Sequence, residues 1–563
     1  MSENDSNAML AKLVESWLDS IGERGYQPAY CTLLLLEGHS ILHNTRHSPI
    51  EIGKDIITEA PDGTRHLIQL KGNPGARFKQ SDFATHANQL STLCNTRWGP
   101  PLDGVIEKPY FVTNGEIEEE ARVAFDQFNN GLAARGLKPL NLVSRGELLK
   151  RFLSAVEAIS PSDPLLFSRF ALLMVRSTND EVQFQEIYDF FSAVIEIDKD
   201  LSSPAVTRNS AACLLLSELI ASRYDNEGCV FETIKIRIAA LCAIRSLHLK
   251  NNKQTAPLIA SLYREFRQRI LQSIFDLIEP LIGREQYFLD GPYVQDAIQI
   301  AYRREITSSL IAAALSDIDF SESTLDYSAL NKEYHSSAIK IMRGALHDMQ
   351  LWGERSAARY LIVYMTLSNS LGGGDADLHL RRMAYFYSDI LKTKHGNFYP
   401  SVYYEYDEYV RNYVLPELSH IDDQITRETF LGHSSLFRAI FLLCARKNWK
   451  VTCKSVWSEF SKYLHSNVIP NETWQYCKRP NPDSTTNEHQ YRDWELWPFI
   501  LEQAEEHAAG EGFLFFDGDI FLLQIYLIIC PDRADLDTIL TLDRVLGDSI
   551  NLQDRQKFRA IRK

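Results

Sequence analysis

The first 160 residues alternate between short runs with the two-residue period of a strand and longer runs with helical spacing. Helices are predicted over 8–23, 81–94, 116–132 and the second part of 140–156, and strands over 30–36, 47–60, 66–72, 108–115 and the start of 140–156. Strands that alternate with helices along a chain are typical of a mixed α/β sheet. Residues 1–160 are therefore predicted to form an α/β domain with a mixed central sheet.

The pattern changes after "SPSDP" at 160–164, which is predicted to be a domain boundary. Beyond it the chain consists of long amphipathic runs at helical spacing, so 165–563 is predicted to be a large all-α region. The glycine-rich stretch "LGGGDADL" at 371–378 interrupts these runs and is predicted as a loop that could divide the region into two subdomains.

The turn "PDG" at 61–63 determines the register of a predicted hairpin. Proline presets φ at the first loop position, and glycine accepts the left-handed position that ends a three-residue loop. With this loop Ala60 pairs with Thr64, and Asp55 lies directly opposite Gln69. A two-residue loop would shift the register by one residue and place Asp55 and Gln69 on opposite faces.

Strand alternation then gathers polar side chains at one end of the hairpin. Lys71 shares a face with Gln69, and Glu51 shares a face with Asp55. Carboxylate and carboxamide oxygens are ligands for a hard cation such as Mg²⁺, which can polarise a phosphate and lower the pKa of a bound water. Lys71 would orient or activate that water and stabilise the developing negative charge.

The segment "EIGKDIITEAPDGTRHLIQLKG" at 51–72 resembles the metal-binding core of the PD-(D/E)xK nuclease superfamily, in its Mrr-like restriction-endonuclease branch. Asp55 matches the aspartate of that motif, Gln69 its variable acid position and Lys71 its lysine. The resemblance extends over about residues 8–155. It implies a restriction-endonuclease-like fold and an endonuclease of DNA that depends on Mg²⁺ or Mn²⁺, with a role in bacterial restriction or anti-phage defence.

One departure from the family pattern concerns the acids of the metal site. Gln69 stands where an acid is usual, which removes one negative charge. Glu51 could supply the missing carboxylate. Glu15 is the other candidate, because the first helix of this fold often contributes a glutamate near the metal.

The formal net charge of −15 argues against a protein whose whole surface binds nucleic acid. Residues 65–80 nevertheless contain Arg65, Lys71, Arg77 and Lys79 and no carboxylate. This positive segment lies beside the predicted metal site, so Arg65, Arg77 and Lys79 are candidate contacts to DNA phosphates.

Charge also distinguishes the two regions. Residues 1–160 contain 16 Lys and Arg and 20 Asp and Glu, a net charge of −4, which leaves −11 for 161–563. The helical region is therefore predicted not to be the main DNA-binding surface. It is predicted to bind a partner defence protein or a phage-derived trigger, or to form a homodimer interface.

Nine cysteines without a CxxC pair, and an N-terminus unlike a signal peptide, favour a reducing cytoplasm and no contact with a membrane. Two other functions stay open. The first is a catalytically inactive nuclease fold that binds nucleic acid or acts as a scaffold subunit of a defence complex. The second is an RNase effector.

Overall fold

The computed structural model contains an N-terminal region built on a mixed α/β sheet, followed by a large helical region. The structure describes residues 3–44, 54–75, 77–95, 106–159, 164–178, 181–251, 257–289, 297–320, 330–370, 374–393, 406, 410, 432–478, 485–491, 500 and 510–548. The chain divides into two compact units, 1–268 and 269–563. The predicted boundary at 160–164 therefore falls inside the first unit.

The first unit begins with helices and strands in alternation. Its strands are β1 (Ser40–Asn44), β2 (Ile56–Glu59), β3 (Arg65–Lys71), β4 (Arg77–Phe78), β5 (Glu107–Thr113), β6 (Glu116–Ile117) and β7 (Asn141–Val143). Its helices are α1 (Glu3–Ser20), α2 (Glu23–Leu36), α3 (Gln80–Asn95), α4 (Glu119–Ala134), α5 (Arg145–Ile159), α6 (Pro164–Val175), α7 (Phe184–Val194), α8 (Ser203–Asn226) and α9 (Val230–Lys250), and α10 (Pro257–Ile278) follows them.

Among the described residues, five strands form one sheet in the order β1-β2-β3-β5-β7. The pairs β1–β2 and β2–β3 are antiparallel, whereas β3–β5 and β5–β7 are parallel. The prediction of a mixed α/β sheet in the N-terminal region is thus confirmed.

The two faces of the sheet are covered by different helices. Ile57, Leu67 and Phe111 join a buried apolar cluster with residues of α3 and α4, and we call this side the α3 face. Ile56 and Ile68 lie on the opposite face, because successive side chains of a strand alternate, and both are buried. Helix α2 packs against β1 and β3. The side chains of Asp55, Gln69 and Lys71 belong to the α3 face, because alternation places them with Ile57 and Leu67.

Two predictions about local structure were wrong. The run "YCTLLLL" at 30–36, predicted as a strand, is the second half of α2, and the strand before the hairpin is β1. A short apolar run looks the same in a buried strand and in a buried helix, because both bury every position. Residues 374–378, predicted as part of a loop, instead begin α15 (Gly374–Thr393).

The predicted hairpin register is confirmed. Four cross-strand pairs run from Glu59 opposite Arg65 to Ile56 opposite Ile68, which places Asp55 opposite Gln69. The loop closes as expected, since the Ala60 backbone N–H donates to the Thr64 carbonyl oxygen at 2.8 Å.

The loop glycine, Gly63, adopts a φ of +79°. A Cβ added there would meet no atom within 4 Å, so the cost of Gly63→Ala comes from the backbone alone. We expect this substitution to lower the free energy of unfolding by about 1–2 kcal/mol. Gly131→Ala is the matched control, because Gly131 lies inside α4 with the same empty surroundings. It should raise stability by up to about 1 kcal/mol. Thermal denaturation that moves both variants in the same direction would contradict the assignment.

Helices α6–α9 are part of the first unit. α8 packs against α2 and α5, and α6 packs against α1. The Trp17 indole N–H on α1 donates to the Ser222 hydroxyl on α8 at 2.7 Å, and both side chains are buried. Every residue of α2 from Gly25 to Leu35 is buried, because helices as well as the sheet cover this helix.

The second unit is largely helical. Its helices are α11 (Glu285–Leu289), α12 (Ala297–Phe320), α13 (Leu330–His347), α14 (Glu354–Ser370), α15, α16 (Phe437–Arg446), α17 (Lys450–Phe460), α18 (Glu511–Phe515), α19 (Ile520–Ile529) and α20 (Leu536–Asp548), with short 3-10 helices at Glu279–Leu281, Thr473–Gln475 and Pro531–Arg533. Strands β8 (His433–Ser434), β9 (Leu464–Ile469) and β10 (Thr485–His489) form a small sheet. The region after 165 is therefore largely helical, whereas the prediction that it is all-α was wrong at these strands, which are too short and polar to stand out from the helical pattern.

The centre of the second unit is α12, which packs against α13, α14 and α19. A buried ion pair lies in this layer, with Arg359 Nη1 donating to Glu305 Oε1 at 2.8 Å. The Trp352 indole N–H donates to the other Glu305 oxygen at 2.9 Å. Both carboxylate oxygens are therefore bonded, as a buried charge requires.

None of the helices that the structure describes is both long and apolar enough to cross a membrane.

Candidate active site

Asp55 and Gln69 contact each other at the end of the hairpin, on the α3 face. The Gln69 side-chain N–H donates to Asp55 Oδ2 at 2.6 Å, and the Leu70 backbone N–H donates to the same oxygen at 2.6 Å. Asp55 is 8% exposed and Gln69 is 3% exposed. The register thus brings a buried carboxylate and a buried carboxamide into direct contact, as the turn predicted.

The oxygen of this carboxamide, Gln69 Oε1, is buried and has no hydrogen-bond partner. The amide nitrogen donates to Asp55. Exchanging the positions of the amide oxygen and nitrogen would therefore place Gln69 Oε1 against Asp55 Oδ2, where two acceptors repel each other. A buried acceptor without a partner costs about 1–3 kcal/mol. This is the kind of atom that a bound cation would satisfy.

Lys71 ends β3 and pairs with Glu23, the first residue of α2. Lys71 Nζ lies 3.5 Å from Glu23 Oε2, and the Gly72 backbone N–H donates to the same oxygen at 3.3 Å. A Cβ on Gly72 would lie 2.3 Å from the Glu23 nitrogen. Only glycine therefore allows the end of β3 to pass this closely under the start of α2.

Buried side chains hold the ends of the strands in place. The Tyr26 hydroxyl lies 3.2 Å from the Lys71 carbonyl oxygen and 3.3 Å from that of Val112. Burial, and next the nearby Glu23 carboxylate, raise the pKa of Tyr26 well above its usual value, so the phenol remains a hydrogen-bond donor. The loop after β3 is held by Asn114, whose side-chain oxygen accepts from the Asn73 backbone N–H at 2.8 Å.

The other predicted residues are placed as follows. Glu51 lies outside the described residues. Glu15 lies on α1 and accepts from Arg145 Nη2 at 2.9 Å. Arg65 begins β3, at the far end of the strand from Lys71, and its Nε lies 3.9 Å from Glu59.

Arg77 and Lys79 lie on the short segment between β3 and α3, and both are exposed. The Asn73 side-chain N–H donates to the Arg77 carbonyl oxygen at 3.2 Å, which ties this segment to the loop after Lys71. Both cations are thus available to a polyanion that approaches the end of β3.

Sequence reasoning missed two residues near this site, Glu23 and His86. Glu23 was assigned to the end of a single helix over 8–23, whereas α1 ends at Ser20 and α2 begins at Glu23. The signal for a new helix was Gly22. His86 is the polar member of the inward stripe of α3, between the buried Phe83 and Leu90.

The oxygen ligands among the described residues would supply only part of the coordination of a hard cation. They include the Asp55 carboxylate and the unpartnered Gln69 Oε1, which are oxygen ligands of the kind that Mg²⁺ binds. Within the described part of the chain, however, no group of three or more His, Cys, Asp or Glu side chains is placed to hold a metal ion. Glu51, the predicted third oxygen ligand, lies outside that part of the chain.

Comparisons of the chain with protein-family models, curated proteins and solved structures return no match.

Proposed function

We propose that this protein is a Mg²⁺- or Mn²⁺-dependent endonuclease that hydrolyses phosphodiester bonds of DNA. The observation that carries this proposal is the buried, unpartnered Gln69 Oε1 beside the Asp55 carboxylate, with Lys71 two residues further along the same face. A protein that uses these residues only for structure would leave a buried acceptor unsatisfied without compensation.

The Asp55 carboxylate and Gln69 Oε1 would hold the metal, with Glu51 as the further ligand that the sequence suggests. A bound Mg²⁺ would supply Lewis-acid polarisation of the scissile phosphate and a water of lowered pKa. Lys71 stabilises the negative charge that develops on the phosphate oxygens. Glu23 positions the Lys71 ammonium at the strand end, because it pairs with both Lys71 Nζ and the next backbone N–H.

A nucleic acid is the favoured substrate because exposed cations lie beside these residues, and DNA is the nucleic acid that the resemblance of residues 51–72 implies. Arg77 and Lys79 would contact phosphates that flank the scissile bond, since both project from the segment that follows Lys71. Arg65 would contact DNA only at a distance from the metal, because it lies at the opposite end of β3. We place the enzyme in bacterial restriction or anti-phage defence, with the helical region as the site of a partner, a trigger or a second copy.

A specific observation favours a second candidate function, a catalytically inactive nuclease fold that binds nucleic acid. Among the described residues no set of three metal-ligating side chains converges, and Lys71 is already paired with Glu23. Such a protein would bind DNA without cleaving it and would act as a subunit of a larger complex.

The decisive experiment incubates the full chain with supercoiled plasmid and with single-stranded RNA, each with Mg²⁺, with Mn²⁺ or with EDTA. We expect plasmid nicking or linearisation with either metal and none with EDTA. Plasmid that is bound in gel-shift experiments but stays supercoiled under all conditions would select the inactive fold. Cleavage of RNA alone would select the RNase effector.

A further inference from the structure

The side of α3 that faces the sheet carries one ionisable side chain, His86, near the candidate site formed by Asp55, Gln69 and Lys71. Phe83 and Leu90 on this stripe belong to the same buried cluster as Ile57 and Leu67. His86 lies three residues after Phe83 and four before Leu90, so helical spacing puts it on the same side. Its partial burial agrees with this position.

His86 and the proposed site therefore face each other across the same layer. Asp55, Gln69 and Lys71 share the α3 face of the sheet with Ile57 and Leu67. α3 follows β3 in the chain, connects it to the parallel strand β5 and packs against both strands, so it runs back along β3. The early turns of the helix, which include His86, thus lie over the strand end that carries Lys71.

The charges around His86 come from three elements. They are Lys71 on β3, Glu23 at the start of α2 and Asp82 on α3. Burial and then Lys71 lower the pKa of His86, while a hydrogen bond with Gln89 and the two carboxylates oppose this. The lowered pKa favours the unprotonated imidazole, and Gln89, three residues later on α3, orients it.

We infer that His86 is a catalytic residue of this site, the general base that takes a proton from the attacking water. This inference rests on the proposed nuclease function. The water oxygen forms a bond to phosphorus as the P–O bond to the leaving sugar oxygen breaks. The water proton passes to a nitrogen of His86, and the leaving oxygen takes a proton from solvent.

This assignment separates two roles that one lysine would otherwise combine. An ammonium that stabilises negative charge must stay protonated, whereas a base must be unprotonated. An imidazole on the α3 side of the site supplies the base, which leaves Lys71 with charge stabilisation alone. General-base catalysis typically contributes a factor of about 100–10,000 to the rate.

The test compares plasmid cleavage by wild type, His86→Gln, His86→Ala and Asn88→Ala in the full chain. Asn88 lies on the exposed side of the same helix and is the matched control. We expect His86→Gln to lower kcat by about 100-fold with little change in KM, and Asn88→Ala to match wild type. Added imidazole should restore activity to His86→Ala and have no effect on the control.

The pH profile gives an independent readout. Protonation of His86 removes the base, so wild-type kcat should fall as pH drops below the lowered pKa of His86, and His86→Gln should lose this acid limb. Wild-type kcat in His86→Gln at an unchanged melting temperature, or no rescue by imidazole, would overturn the role of His86 alone. If wild type itself does not cleave, the proposed nuclease function is wrong and this role fails with it.

Discussion

Asp55→Asn is expected to reduce plasmid cleavage by at least about 100-fold and to leave the protein folded. Loss of a group that only supports a metal ligand already costs about 10–100-fold in activity or affinity, and Asp55 is proposed as a ligand itself. The asparagine oxygen can still accept from Gln69 Nε2 and the Leu70 N–H, which both bond to one oxygen of Asp55. The substitution thus removes the charge and preserves the local hydrogen bonds.

Glu59→Gln is the matched control for this variant. Glu59 ends β2, the strand that Asp55 immediately precedes, and by alternation shares the face of Asp55, but it lies at the loop end of the hairpin beside Arg65. An ion pair whose atoms lie 3.9 Å apart and whose carboxylate is 45% exposed contributes little to stability. Glu59→Gln should therefore cleave within about two-fold of wild type, because no catalytic interaction is lost. Lys71→Met keeps the aliphatic length of the side chain and should also lose cleavage. If Asp55→Asn and Lys71→Met both cleave at the wild-type rate, the site is not catalytic.

A fragment of residues 1–160 is expected not to fold stably, whereas residues 1–251 are expected to unfold cooperatively. The shorter fragment lacks α8, which packs on α2 and α5 and accepts the hydrogen bond from Trp17. Helix α2 is buried on every side from Gly25 to Leu35, so its outer side would be exposed. Exposure of each large apolar side chain costs about 1.5–3 kcal/mol, so the loss of a few such contacts is comparable to the whole stability of a typical domain.

Near-UV circular dichroism and thermal denaturation of the two fragments test this expectation. A cooperative transition of the 1–160 fragment at the same temperature as that of 1–251 would show that α8 is dispensable.

The result also decides how to test the prediction that the acidic helical region is not the main DNA-binding surface. The DNA affinity of the 1–251 fragment, at equal salt, is the quantity to compare with that of the full chain.

The hairpin shows how much of this site local sequence determines. The loop at 61–63 permits one register, and two-residue alternation then places Gln69 and Lys71 on one face with Asp55 opposite Gln69. Both rules act over a few residues, so no knowledge of the rest of the fold is needed. The order of strands and helices after residue 65 follows from the same short-range patterns.

The partners that complete the site depend on the tertiary structure. Glu23 lies 48 residues before Lys71 in the sequence, and the two meet because α2 starts where β3 ends. The run at 30–36 becomes helix rather than strand because α2 is covered by α8 as well as by the sheet. A short, continuously apolar run has the same sequence pattern in a buried helix and in a buried strand. His86 likewise acquires its neighbours only when α3 packs back over β3. The sequence by itself thus determined the register and the face of Asp55, Gln69 and Lys71, whose rules are local. Packing between distant segments decided which further charges surround them.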